Sequence, residues 1–195
     1  MSLHREMLGR VQQHWLIIST LLVSWLLMQA VHELGHIVAG WLTGGQITQV
    51  VLHPLTISRT DVDPNPHPLT IAWSGPVVGV VMPLLAWAIA AAASLPASFL
   101  RVFAGFCLIA NGAYIGLGSF QRIGDCGIML RYGSPIWLLW LFGIATVPAG
   151  LWLIDGTRDY FGLGKHQGRL KPRAIVTSVA LLAIVILEVA AIPRP

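Results

Sequence analysis

Five apolar runs, at about 15–43, 69–94, 97–118, 134–154 and 174–192, divide the 195-residue chain into long hydrophobic stretches joined by short polar connections. A helix needs ~20 apolar residues to cross a hydrocarbon core, and each run meets or nearly meets that length. Inside lipid every backbone N–H and C=O must be paired within the structure, so these runs predict helices. The segment after the first run, "GGQITQVVLHPLTISRTDVDPNPHP" at 44–68, opens on two glycines and is rich in β-branched residues. It predicts one or two short strands within 46–58, with Pro54 at an edge or a bend. The glycine-rich, basic stretch 155–173 predicts a solvated connector. "HPLTI" recurs at 53–57 and 67–71, too short a match to define a repeat. The expected fold is all-α: a membrane bundle of about five transmembrane helices with a short β segment after the first, forming one integral membrane domain over 1–195.

Composition agrees with this pattern. Hydrophobic residues make up 55% of the chain, charged residues 10%, and the mean hydropathy is +0.73, which excludes an ordinary soluble domain. The net charge of +4 lies in the loops between spans, where lipid headgroups are a simpler partner than nucleic acid. A basic start followed by an apolar run is compatible with a secretory signal, but the run continues through "IVAGWLTG", so a retained first span is expected. Cys107 and Cys126 form neither a disulfide framework nor a paired metal-ligand spacing and read as small apolar filler. Eight of the twelve Lys and Arg residues fall on the side of the N-terminus, which by the positive-inside tendency places that end in the cytosol.

Within the first run, "QAVHELGHIVAG" at 29–40 puts three ionisable side chains into five positions, where each is costly unless paired or functional. His32 and His36 are four residues apart, so on a helix both imidazoles lie on one face within reach of one ion. Zinc suits such nitrogen ligands and leaves a coordination position for water. Glu33 adjoins the first histidine, where a carboxylate can take a proton from that water. Asp125, in "RIGDCGIML" where the chain turns back after the third run, is the expected third ligand, with Glu188 a more distant candidate. Asp61 and Asp63 lie in a proline-rich polar loop and are expected to be solvated, and His53 and His67 to flank their prolines at turns. Gly35 and Gly40 allow close approach of a neighbouring helix or a substrate.

These residues together resemble the site-2 protease family, the intramembrane zinc metalloproteases, over roughly residues 25 to 133. "VHELGHIVAGWLTGG" resembles the family's metal-binding helix, "QITQVVLHPLTIS" its short β segment beside the active site, and "SGPVVG" at 74–79 its Gly-Pro motif. The family's asparagine, proline and Asp-Gly element is less faithful: Asn111 precedes Asp125 by fourteen residues, no proline intervenes, and Cys126 separates Asp125 from Gly127. The resemblance implies Zn2+ held by His32, His36 and Asp125, Glu33 as general base, and Asn111 as a substrate contact. It also implies a catalytic core at about 15–133, with 134–154 and 174–192 as additional helices, in a multi-pass protein of the cell membrane. The implied orientation puts the N-terminus outside, opposite to the charge bias, and is the one favoured here.

The function expected is zinc-dependent endopeptidase cleavage in or near a transmembrane segment of a membrane protein substrate. Such a segment must unwind first, and residues 46–58 either offer it a strand edge or form an ordinary surface hairpin. A metal or proton transporter is the main rival; it requires ionisable residues at depth on several helices, and the second and fourth runs hold no charged residue. A partner-binding, non-catalytic relative is the other, and it has no need for a base beside a metal ligand.

Overall fold

The computed structural model describes residues 2–52 and 58–163, together with isolated helical positions between 175 and 187. Among these residues the elements run α1 (Ser2–Leu42), β1 (Ile47–Val51), β2 (Arg59–Val62), α2 (Pro68–Ala92), α3 (Ser98–Gln121), α4 (Gly124–Arg131) and α5 (Ile136–Asp155). Among the described residues four helices are long and apolar enough to cross a membrane, the first counted from Gly9 to Leu42, and the chain is an integral membrane protein. The expected all-helical bundle with a short sheet after the first helix is what forms. The run expected at 174–192 falls largely outside the described residues, as do His53, Pro54 and Glu188.

Two expectations change in detail. The strands are β1 and β2, antiparallel, with Val50 opposite Thr60 and an irregularity between Ile47 and Gln49. The second strand therefore lies beyond the range 46–58, in the polar sequence Arg-Thr-Asp-Val, because pairing with β1 overrides a weak intrinsic preference. Asp61 consequently sits on a strand and pairs with Arg59 at 3.1 Å rather than in an irregular loop. The short helix α4 is the other addition. Arg122 and Gly124 both take φ of 56°, which reverses the chain within three residues after α3. Cys126 and Met129 of α4 are then fully buried against Ala72, Ile115 and Leu139.

Helix packing relies on small residues, as expected where lipid offers no hydrophobic drive for helix association. Along the α3–α5 seam, a Cβ on Gly143 would lie 2.9 Å from the Gly112 carbonyl oxygen and 3.1 Å from Gly116 Cα. Between α1 and α2, a Cβ on Gly35 would strike the Ser74 carbonyl, so the metal-motif helix crosses α2 with backbones in contact. Polar ties fix the ends: Trp140 Nε1 donates to Ser119 Oγ at 3.0 Å, and Trp73 Nε1 to Ser134 Oγ at 3.1 Å. Gln13 Nε2 donates to the carbonyls of Phe161 and Gly162, so the start of α1 and the segment after α5 share one side of the bundle. The hairpin and α4 lie at the other.

Replacing Gly143 with Val should force the α3–α5 seam apart. A loss of stability of ~1–3 kcal/mol is expected from overpacking against backbone, read as a lower denaturation midpoint in detergent.

Candidate metal and catalytic site

His32, Glu33 and His36 are all buried on α1, at 7%, 2% and 5% exposure, so the costly cluster of the sequence does face the interior. Each histidine is oriented through its Nδ1. His36 Nδ1 donates to the carbonyl of Ile71 at 2.7 Å, near the start of α2, a carbonyl that also accepts from Ser74 Oγ at 2.6 Å. His32 Nδ1 donates to Asn111 Oδ1 at 2.7 Å. The direction of the Asn111 amide is set from its other end, where Nδ2 donates to the Cys107 carbonyl at 2.9 Å.

With both Nδ1–H groups committed, the Nε2 atoms point at a common space. Asp125 Oδ2 lies 3.0 Å from His32 Nε2 and 3.5 Å from His36 Nε2, and the three ligand atoms lie within 4.8 Å of one another. In the neutral ring each Nε2 carries a lone pair, so two lone pairs and a carboxylate oxygen converge, and a cation is needed to reconcile them. Two imidazoliums or one divalent metal ion would do so. With the rings protonated, burial disfavours the charge on Asp125, but hydrogen bonds from His32 and His36 outweigh it and hold the carboxyl well below the usual carboxylate range. The donor set, two imidazole nitrogens and one carboxylate, fits a tetrahedral ion with a position left for water.

Space for the ion comes from α2. A Cβ on Gly75 would fall on the imidazoles of His32 and His36, so only glycine leaves the Nε2 atoms clear. Gly79 makes similar room for Asn111: a Cβ there would approach its side-chain amide to 2.8 Å.

Glu33 points to the strand side. Thr60 Oγ1, on β2, donates to Glu33 Oε2 at 2.8 Å. Asp125 stands in the first turn of α4, where its backbone N–H donates to the Tyr114 hydroxyl at 3.1 Å and negative charge is favoured. Tyr114 also packs edge-on against His32, with ring centroids 5.8 Å apart. The whole opens onto a cleft of about 1000 Å³ whose walls include His32, Glu33 and His36 of α1, residues 59–62 of β2, Asn111 and Tyr114 of α3, and Asp125.

Of the residues singled out from sequence, His32, His36 and Asp125 come together and Glu33 lines the same cleft. Asn111 is there too, but it is 1% exposed and both ends of its amide are engaged within the protein. Asp61 and Asp63 border the mouth of the cleft rather than bulk solvent alone. His67 precedes α2 and is not among the converging ligand atoms, its backbone N–H donating to Asn65 Oδ1. Sequence reasoning missed Thr60, Tyr114 and the Ile71 carbonyl. Tyr114 alone left a signal, since it falls three residues after Asn111 and so on the same face of α3.

The fold and site define a membrane protein in which two buried histidines, a half-buried aspartate and an adjacent buried glutamate share one cleft. The chain matches the Peptidase M50B-like family over residues 10–117, more than half its length, and belongs to that family. The site-2 protease relationship expected from the sequence is thereby borne out. Comparison with curated proteins and with solved structures gave no match. The matched stretch includes His32, Glu33, His36 and Asn111 and ends before Asp125.

Exchanging Asn111 for Leu removes the acceptor that turns His32. Affinity for Zn2+ should fall ~10–100-fold, as for other partners of metal-ligating histidines, measured by titration of the purified protein with a zinc indicator.

Proposed function

We propose that this chain is a zinc-dependent intramembrane endopeptidase that hydrolyses a peptide bond in or near a transmembrane segment of a membrane protein substrate. The observation that carries the reading is the convergence of His32 Nε2, His36 Nε2 and Asp125 Oδ2 beside a buried glutamate, inside a membrane bundle. His32, His36 and Asp125 would hold the ion, and all the residues named at the cleft fall within the core of 15–133. When bound, zinc supplies Lewis acidity, polarising the scissile carbonyl and acidifying a water.

The chain's own residues do the rest. Glu33 accepts the proton that the water gives up as it attacks the carbonyl carbon, then hands it to the amine that leaves when the C–N bond breaks. Thr60 donates to one oxygen of Glu33 and so holds the carboxylate in place while leaving its other oxygen for the water. Asn111 acts through His32, as a positioning residue in place of the substrate contact that the resemblance implies.

A substrate helix must unwind to expose its carbonyl, and an extended chain in lipid needs partners for its freed N–H and C=O groups. β2 belongs to a two-stranded sheet, is paired on one side with β1, and borders the cleft. Its other edge is suited to receive the unwound chain by strand addition, the same strand that orients Glu33. The membrane we assign is the cell membrane, with the N-terminus outside.

Purified protein should carry about one zinc per chain and lose it on His32→Ala. Glu33→Gln should keep the zinc while cleavage of membrane proteins falls by ~10²–10⁴, the usual contribution of a general base; undiminished cleavage would remove Glu33 from the mechanism.

A further inference from the structure

Gln29 is buried to 94%, its exposure being 6%, and neither its Nε2 nor its Oε1 has a hydrogen-bond partner among the described residues. A buried primary amide with two donors and an acceptor unpaired is costly anywhere and more so in a bundle surrounded by lipid. Ser24 is the other residue with such an atom, but it does not line the cleft, whereas Gln29 does. Gln29 precedes His32 by three residues and Glu33 by four, so it stands on the same face of α1, one turn further from the hairpin end. The amide is therefore an unmet donor and acceptor pair on a residue that lines the cleft in which the proposed reading places the substrate.

The geometry points to Gln29 as a substrate-positioning residue that binds the peptide backbone of the unwound segment, its Oε1 accepting an N–H and its Nε2 donating to a C=O. This inference rests on the endopeptidase reading and names a contact within it. A carboxamide presents the same donor and acceptor as a peptide group, which suits backbone rather than any one side chain. Four residues of helix advance about 6 Å, and an extended chain covers that in about two residues. Gln29 would thus meet the substrate about two residues from the bond at Glu33. Strand edge and Gln29 together would pair backbone groups on both sides of the scissile bond.

The test uses full-length protein in lipid vesicles and a synthetic fluorescent Leu/Ala transmembrane peptide with a central Asn-Pro helix breaker. One version is all-amide, and a series carries a single ester in place of each backbone N–H around the cleaved bond. In Glu33→Gln protein, which serves only for binding, adding Gln29→Leu or Gln29→Ala should weaken binding of the amide peptide by about ten- to a hundredfold, the worth of roughly two hydrogen bonds. Zinc content should stay unchanged. One ester position should weaken binding to the Glu33→Gln protein by about three- to tenfold, the worth of one bond, and have no further effect once Gln29 is replaced, because the Gln29 change already removes that bond. The ester leaves the protein untouched, so a folding defect cannot imitate that result. Equal binding with and without Gln29, losses that add at every ester position, or no binding at all would overturn the assignment. Failure of the parent protein to cleave a peptide that it binds in a Gln29-dependent way would overturn the endopeptidase reading instead.

Discussion

Two histidines four residues apart on a helix can serve one ion only if something turns their outer nitrogens away from it, and here that constraint organises the bundle. His36 is turned by the Ile71 carbonyl of α2, and His32 by the side chain of Asn111 on α3. Three helices must therefore hold register to within a hydrogen bond's tolerance. The backbone contact of Gly35 with Ser74 and the cleared space at Gly75 bring α2 close enough for its carbonyl to reach the ring. A larger residue at Gly35 would separate the helices and release His36, and one at Gly75 would fall on both imidazoles.

Asp125 arrives by a different route. It stands outside the long helices, on an eight-residue element that has no stability of its own and is pinned by what it buries. Cys126 and Met129 fill the space between Ala72, Ile115 and Leu139, and Tyr114 accepts the N–H of Asp125 itself. The apparent departure from family pattern, a cysteine between the aspartate and Gly127, thus has a packing reason: at this position a small apolar side chain is fully enclosed. Gly127 keeps its own role, since a Cβ there would collide with the Arg122 carbonyl at the reversal.

What could be read from sequence follows from how local each feature is. Long apolar runs and an i, i+4 histidine pair are properties of one helix, and the runs mark α2, α3 and α5 to within about three residues, whereas α1 begins at Ser2, well ahead of its apolar run at 15, because the helix continues through polar sequence. Asp125 was legible because few other acids were available, not because its sequence neighbourhood announced a helix; α4 is too short and too mixed for periodicity to mark it. β2 was not legible, because Arg-Thr-Asp-Val reads as polar loop until β1 is placed beside it. The Ile71 carbonyl could not be found at all, since every residue has one and only the crossing of α1 and α2 selects it. Asn111 illustrates the middle case: the resemblance supplied the residue, but only the Cys107 carbonyl fixes which end of its amide faces His32.

The polar residues of α1 form one stripe, Gln29, His32, Glu33 and His36, at i, i+3, i+4 and i+7, and the cost of that stripe in a membrane helix has to be met residue by residue. His36 and His32 are met by α2 and α3, and Glu33 by β2. His36 lies six residues from the end of α1, about 9 Å along the axis, so the cluster sits near the hairpin end of the bundle where water has the shortest path. Under the proposed endopeptidase reading, a substrate helix entering from that end would fray first where its own terminal hydrogen bonds are already missing. Each further residue drawn into the cleft would break another internal bond, and unwinding would stop where the protein no longer offers a replacement. β2 would supply replacements beside Glu33, and the stripe ends in an amide that has no partner among the described residues. The extent of unwinding, and with it the place of the cut, would then be set by how far along α1 unpaired polar groups continue.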